Sequence, residues 1–182
     1  KECFSGTGTI YAPGSGKGGA GGIVGRNCGT VEFCWSDATV YNAYRCAGGV
    51  VGNNNGSDVD RDTGAAIPAG RIAGCWFTGS VNSAGTTTKG SITAANDIEN
   101  GAVVENCYFL KDSSGNGLGI GTYNTAETQE GTFEFGTDGK LTSDGTKTVI
   151  AELSALKDIV VPGEASVTGS ENYPMLSWQA AG

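Results

Sequence analysis

Residues 21–29 read GGIVGRNCG, and residues 48–56 repeat that pattern as GGVVGNNNG. A second pattern places a cysteine and an aromatic residue after a short apolar stretch. It occurs as TVEFCWS at residues 30–36, as RIAGCWF at 71–77 and as VVENCYF at 103–109. Repetition at a fixed spacing is the sequence signature of repeat architectures. The sequence therefore predicts a fold built from stacked, similar units.

The spacing of the repeats indicates which architecture they form. Four cysteines, each followed by an aromatic residue, lie 31, 41 and 32 residues apart: Cys3, Cys34, Cys75 and Cys107. The longest interval contains an inserted stretch, Ser57–Gly70, and Gly90-Ser91-Ile92 is interpreted as a remnant of a third glycine unit. A period of about 30 residues fits a three-stranded coil of a parallel β-solenoid. A propeller is the alternative, but these few repeats would not close its ring.

Composition agrees with a β-rich fold. The chain has 13 Val and 9 Ile, which suit strands, against 6 Leu, all at or after Leu110. We predict an all-β fold with minor α content, namely a parallel β-solenoid or β-helix of about three to four coils over residues 1–110. Residues 111–182 are predicted to form a C-terminal cap with one short helix. That helix is expected within residues 148–158, where Val149, Leu153 and Leu156 form an apolar stripe.

Charge and residue content exclude several functions. The 182 residues carry a net charge of −8, which argues against binding to nucleic acid or to anionic lipid. The chain has no histidine, so histidine-based catalytic triads and histidine zinc ligands are impossible. No apolar run approaches the ~20 residues needed to cross a bilayer, and we therefore expect no transmembrane segment here.

The cysteines are expected to play a structural part. The four repeated cysteines are predicted to point into the core as small apolar side chains, with the neighbouring aromatic residues on the opposite face. Cys28 and Cys46 lie outside this series. They either close a disulfide across one coil or remain two separate thiols.

The repeated motifs resemble the GLUG repeat of bacterial surface proteins. The resemblance rests on residues 21–29, on Cys34-Trp35-Ser36 and on residues 75–81, CWFTGSV, and it covers about residues 1–110. Residues 171–178, ENYPMLSW, resemble the segment that closes such arrays. The insertion at Ser57–Gly70 and the eroded third unit depart from the family pattern. The resemblance implies an extracellular location on a bacterial cell surface and an adhesive or scaffolding role without catalytic residues.

One loop has a metal-binding pattern. Asp58, Asp60 and Asp62 alternate along the chain, and such carboxylates converge on Ca²⁺ in some loops. The amides of residues 53–55 are candidate additional ligands. The loop departs from an EF-hand, because its sixth position is Thr63. The alternative is a solvated acidic loop that binds nothing.

Surface side chains suggest ligands of another kind. Tyr41, Tyr44, Trp35 and Trp76 are interpreted either as rings that stack on sugars or as an aromatic ladder that packs against the C-terminal segment. Threonines at residues 7–9 and 86–88 either present hydroxyl rows to a ligand or are ordinary exposed strand residues.

Three functions compete at this point. The first is a non-catalytic module of a bacterial secreted or cell-surface protein, which serves in cell adhesion or structural display and binds a host or cell-surface glycan or protein. The second is a polysaccharide lyase or hydrolase with Asp58, Asp60 and Asp62 as Ca²⁺ ligands and Arg61 or Arg71 as proton acceptor. The third is the scaffold region of a surface protease. The first is favoured, and the chain, which begins within a repeat, is expected to be part of a longer polypeptide.

Overall fold

The protein is built mainly from short β-strands. The computed structural model describes residues 1–13, 18–84, 88–115, 117–122 and 129–180. Within these residues there are twenty-one short strands and two short α-helices. The prediction of an all-β fold with minor helix is therefore confirmed. No helix in the described part of the chain is long and apolar enough to cross a membrane.

The chain makes successive passes of five strands each. The first pass comprises β1 (Phe4–Ser5), β2 (Thr9–Ala12), β3 (Gly19–Gly21), β4 (Val24–Asn27) and β5 (Thr30–Glu32). The second pass comprises β6 (Trp35–Ser36), β7 (Thr39–Asn42), β8 (Cys46–Gly48), β9 (Val51–Asn54), the inserted hairpin β10 (Asp58–Val59) and β11 (Ala66–Ile67), and then β12 (Arg71–Ala73). The third pass comprises β13 (Trp76–Phe77), β14 (Ser80–Ser83), β15 (Thr88–Gly90), β16 (Thr93–Asn96) and β17 (Val103–Glu105).

Corresponding strands of the passes pair in parallel and form five sheets. We name them sheet A (β1-β6-β13, extended by β18, Cys107–Leu110, and β19, Thr132–Phe135), sheet B (β2-β7-β14), sheet C (β3-β8-β15), sheet D (β4-β9-β16) and sheet E (β5-β12-β17). The repeats are in register, since Trp35 pairs with both Phe4 and Trp76. Parallel pairing is incompatible with a propeller, and five strands per pass replace the expected three.

Glycines occur where the chain passes very close to itself. A Cβ placed on Gly21, Gly48 or Gly90 would lie 1.8–2.1 Å from the carbonyl oxygen three residues further on. Only a residue without a side chain fits there. Gly90 pairs with Gly48, so the third glycine unit is present, with Ser91 in place of the second glycine.

The cysteines close the corner between sheets E and A. The residue before each repeated cysteine has a left-handed backbone, with φ of 49–58° at Glu2, Phe33, Gly74 and Asn106. Each thiol donates to the carbonyl oxygen two residues earlier, at 3.2–3.4 Å. Cys34, Cys75 and Cys107 lie in the inner core, as predicted, whereas Cys3 is exposed. The inner core is otherwise mainly aliphatic: Val31, Val40, Val50, Val51, Ile72, Val81, Ile92 and Val104.

A second core covers the outer face of sheet A. Trp35 and Trp76 pack there against the C-terminal residues, which include α1 (Val149–Leu156) and the antiparallel strands β20 (Val160–Pro162) and β21 (Pro174–Leu176). A second helix, α2 (Ala165–Thr168), and short 3₁₀ turns at Ile98–Asn100 and Ser177–Gln179 complete the elements in the described residues.

The predicted C-terminal helix is confirmed with one correction. Thr148 caps α1, because its side chain accepts a hydrogen bond from the Ala151 backbone. Val149 and Leu153 are buried, but Leu156 is 46% exposed and lies outside the apolar stripe. The helix covers the side of sheet A rather than an open end of the stack. Lys157, just after the helix, pairs with Glu2 and so joins the cap to the first pass.

Candidate functional site

The outer face of sheet B is open to solvent along all three of its strands. Alternate residues of β2, β7 and β14 point outward and form two columns, which we call the sheet B face: Thr9, Thr39 and Ser80 in one, Tyr11, Tyr41 and Asn82 in the other. The rings of Tyr11 and Tyr41 stack with centroids 5.1 Å apart. The hydroxyl oxygens of Thr39 and Ser80 lie 3.1 Å apart. The face thus combines a stacked pair of tyrosine rings with adjacent hydroxyls.

The sugar-stacking interpretation is wrong for two of the four candidate residues. Trp35 and Trp76 are fully buried in the second core, where their indole nitrogens donate to Gln179 Oε1 at 2.8 Å and to the Pro174 carbonyl at 3.0 Å. For these two residues the alternative, packing against the C-terminal segment, is confirmed. Tyr44 is 56% exposed, beyond the end of β7.

Tyr11 was missing from the sequence-based candidates. It is 59% exposed and stands directly beside Tyr41 in the register of sheet B. The signal that would have found it is the repetition of TIY at residues 9–11 as TVY at residues 39–41. Of the threonines considered, Thr9 lies on the sheet B face, whereas Thr86 and Thr87 lie outside the described residues.

The acidic loop forms the exposed hairpin β10–β11. Asp60 Oδ1 accepts hydrogen bonds from the Thr63 hydroxyl at 2.7 Å and from the Thr63 and Asp62 backbone amides at 2.8 and 3.1 Å. These bonds lower the pKa of Asp60, the Thr63 hydroxyl contributing most. Asp58 Oδ1 accepts from the Val59 amide. Within the described ranges no three Cys, Asp or Glu side chains are grouped to hold a metal ion. Calcium binding by Asp58, Asp60 and Asp62 stays a prediction.

Buried asparagines form a ladder that sequence reasoning did not identify. Asn27, Asn54 and Asn96 occupy the same position in β4, β9 and β16. The Asn27 amide donates to Asn54 Oδ1 and the Asn54 amide to Asn96 Oδ1, both at 2.8 Å. The Asn54 side chain is therefore used in buried hydrogen bonds and cannot serve as an additional Ca²⁺ ligand beside the hairpin. The sequence signal for the ladder was the asparagine in the seventh position of both glycine motifs.

The basic residue Arg71 is held in a charge ladder on sheet E. Its guanidinium pairs with Glu32 and Glu105, and Lys1 pairs with Glu32 at 2.7 Å. Partial burial acts to lower the pKa of Arg71, but the charges and hydrogen bonds of Glu105 and Glu32 outweigh it and raise that pKa. A guanidinium so stabilised in its charged form is a poor proton acceptor, which disfavours the lyase role assigned to Arg71.

A cavity of about 680 Å³ lies between the passes and the cap. We call it the cap cavity; its lining residues are Phe4, Gly6, Thr7, Asp37, Thr78 and residues 165–169. Asp37 Oδ1 and Thr78 Oγ1 are buried and have no hydrogen-bond partner. Burial raises the pKa of Asp37.

Four of the six cysteine thiols are buried. All six cysteines lie in the described part of the chain, and none forms a disulfide. Cys28 and Cys46 are therefore two separate thiols, and the alternative of a disulfide between them is not realised. Burial raises the pKa of Cys75, which keeps that thiol protonated and unreactive.

Comparison of the chain with protein-family models, curated proteins and solved structures finds no match. Among the sites described above, the sheet B face has aromatic rings and hydroxyls exposed to solvent in a regular array.

Proposed function

We propose that the chain is a parallel β-solenoid that serves as a non-catalytic binding module of a bacterial cell-surface or secreted protein. The order of the strands supports the solenoid: the chain visits sheets A to E in the same sequence three times, and corresponding residues pair in register. The resemblance of residues 1–110 to the GLUG repeat supports the location. Stacking of this kind gives an extended, rigid surface suited to binding.

The ligand we propose is a host or cell-surface glycan, bound on the sheet B face. The stack of Tyr11 on Tyr41 is the observation that carries this proposal. Tyrosine rings offer apolar area to the C–H face of a sugar at little cost in conformational entropy. The hydroxyls of Thr39 and Ser80 beside them can both donate and accept hydrogen bonds, as sugar hydroxyls require.

A non-catalytic role is supported by what the polar side chains already do. The asparagine ladder and the inner thiols hold the core, and Arg71 is bound by two carboxylates. None of these groups is placed as a nucleophile or a general base on an exposed surface.

Binding to an immobilised glycan array, followed by titration of the strongest glycan, tests the proposal. Tyr11→Ala and Tyr41→Ala are each expected to weaken binding by about tenfold or more, because aromatic anchors at binding surfaces contribute about 2 kcal/mol. Trp178→Ala is the matched control, since Trp178 is 53% exposed but lies in the cap. Undiminished binding in the Tyr11/Tyr41 double variant would contradict the proposal. Binding of a protein but no glycan on this face would reassign the ligand.

A further inference from the structure

Two of the three asparagine–glycine pairs in the sequence lie where the second and third passes leave sheet D. Asn55-Gly56 follows β9, and Asn100-Gly101 ends the 3₁₀ turn after β16. An asparagine followed by glycine cyclises readily, because the glycine backbone nitrogen can attack the asparagine side-chain carbon with no side chain in its way. Both pairs contact the carboxylate of Asp97, but through different atoms. That difference decides which pair is arranged to react.

At Asn55-Gly56 the groups that cyclisation needs surround the reacting atoms. The Gly56 backbone N–H donates to Asp97 Oδ2 at 3.3 Å, so a carboxylate is in place to take the proton of the attacking nitrogen. The Asn55 side-chain oxygen faces the Arg26 guanidinium and accepts from its Nε and, at 2.7 Å, from its Nη2. A guanidinium in that position stabilises the negative charge that develops on this oxygen during the attack. All four residues line one groove of about 390 Å³, through which water reaches the site.

At Asn100-Gly101 the same carboxylate is placed so that it hinders the reaction. The Asn100 side-chain nitrogen donates to both Asp97 oxygens, at 2.9 and 3.1 Å. That nitrogen must gain a proton to leave as ammonia, and its hydrogen bonds to the carboxylate oppose its departure. The Gly101 N–H donates to the Ile98 carbonyl at 3.0 Å, and a peptide carbonyl is a far weaker base than a carboxylate. The chain thus contains its own matched control.

We propose that Asn55 is a site of self-modification, at which the folded chain converts this asparagine into aspartate and isoaspartate. The Gly56 nitrogen bonds to Asn55 Cγ while its proton passes to Asp97. The bond from Cγ to Nδ2 then breaks, as Asp97 returns the proton to the departing ammonia. Water adds to either carbonyl carbon of the succinimide ring that remains, which gives aspartate or isoaspartate. One water is consumed and one ammonia is released, with no oxidation or reduction.

The modification changes the base of the inserted hairpin and is independent of glycan binding. Both products add one negative charge to the net charge of −8 and place a carboxylate opposite Arg26. Isoaspartate also lengthens the main chain by one carbon between β9 and the hairpin β10–β11. Asp58 lines the same groove, so the new carboxylate lies beside the acidic hairpin. The charge and the position of the hairpin are therefore expected to change as the protein ages.

Peptide mapping by mass spectrometry tests the proposal on the whole folded chain. The protein is kept at neutral pH in water labelled with heavy oxygen, so that each conversion in solution carries the label. We expect Asn55 to react at least tenfold faster than Asn100. Asp97→Asn should slow the reaction at Asn55 by roughly a hundredfold, the usual contribution of a positioned general base, and Arg26→Gln should slow it severalfold. Glu99→Gln removes an exposed carboxylate of the same turn and is expected to leave the rate at Asn55 unchanged.

Unfolding in urea supplies a second measurement that needs no variant. It separates the groups around both pairs, and we expect the reaction to slow at Asn55, to speed up at Asn100 and to reach similar rates at the two sites. The proposal is overturned if Asn55 reacts no faster than Asn100 in the folded chain, or if its advantage persists in urea. A folded Asp97→Asn variant that converts Asn55 at the original rate would also overturn it.

Discussion

Replacing Asn54 by alanine removes the centre of the asparagine ladder. The Asn54 side chain is 1% exposed and accepts a hydrogen bond from the Asn27 amide at 2.8 Å. Its own amide donates to Asn96 Oδ1 at 2.8 Å and to the carbonyl oxygens of Gly70 and Val103, both at 3.1 Å. One side chain therefore links all three passes.

The loss expected from Asn54→Ala follows from the groups left without partners. The Asn27 amide would keep only a long hydrogen bond of 3.3 Å to the Arg71 carbonyl, and Asn96 Oδ1 would lose its donor from Asn54. A buried polar group left unpaired costs about 1–3 kcal/mol. With one such group, one amide left only weakly bonded and a small cavity, we expect the free energy of unfolding to fall by about 2–4 kcal/mol. That is a large part of the roughly 5–15 kcal/mol typical of a domain.

Urea unfolding followed by tryptophan fluorescence measures this loss. We expect a lower midpoint with an unchanged m-value. Asn100→Ala is the control, because the exposed Asn100 side-chain amide donates to the Asp97 carboxylate alone among the residues that the structure describes, and it should change stability by no more than about 0.5 kcal/mol. A loss below about 1 kcal/mol for Asn54→Ala, or one equal to that of Asn100→Ala, would refute the ladder.

Four further outcomes are expected. In a thiol-reagent titration of the native protein, exposed Cys3 reacts first and buried Cys75 only on unfolding; equal rates would contradict the inward orientation. Thr148→Ala lowers the free energy of unfolding by about 1 kcal/mol in urea, and Thr148→Ser restores most of it. Hydrogen bonding to Lys1, opposed by burial and aided by Arg71, lowers the pKa of Glu32 from 4.5. The stabilisation of the fold by the Glu32 carboxylate is therefore complete above pH 4.5 and is lost as the pH falls through the lowered pKa. A series of melting curves at different pH values measures this loss. If the hairpin binds Ca²⁺, millimolar Ca²⁺ raises the melting temperature reversibly and Asp60→Asn abolishes the rise; no shift would count against the site.

Repeated residues with a single steric requirement were predictable from the sequence. The glycine pairs had to recur because a Cβ at Gly48 would meet the Val51 carbonyl oxygen at 1.8 Å. The inward orientation of Cys34 and Cys75 followed from their alternation with aromatic neighbours. The helix beginning at Val149 followed from its apolar spacing.

Features that depend on distant contacts were not predictable in the same way. Trp35 and Trp76 look like exposed strand residues until β21 and the Ser177–Gln179 turn cover them. The cap cavity depends on residues 165–169 lying against the first passes, and no local pattern encodes that contact. The five short strands per pass were also missed, because strands of two or three residues leave too little alternation to identify.

An engineered cysteine pair tests the stacking of the passes most directly. Thr39 and Ser80 are paired in adjacent strands with their hydroxyl oxygens 3.1 Å apart, so Thr39→Cys with Ser80→Cys should form a disulfide on mild oxidation. Thr39→Cys with Asn82→Cys is the control, since a shift of two residues separates the Cα atoms by about 8 Å and prevents the bond. Peptide mapping by mass spectrometry is expected to find the 39–80 link alone. A pair at 39 and 80 that stays fully alkylatable, or a link between 39 and 82, would contradict parallel in-register stacking.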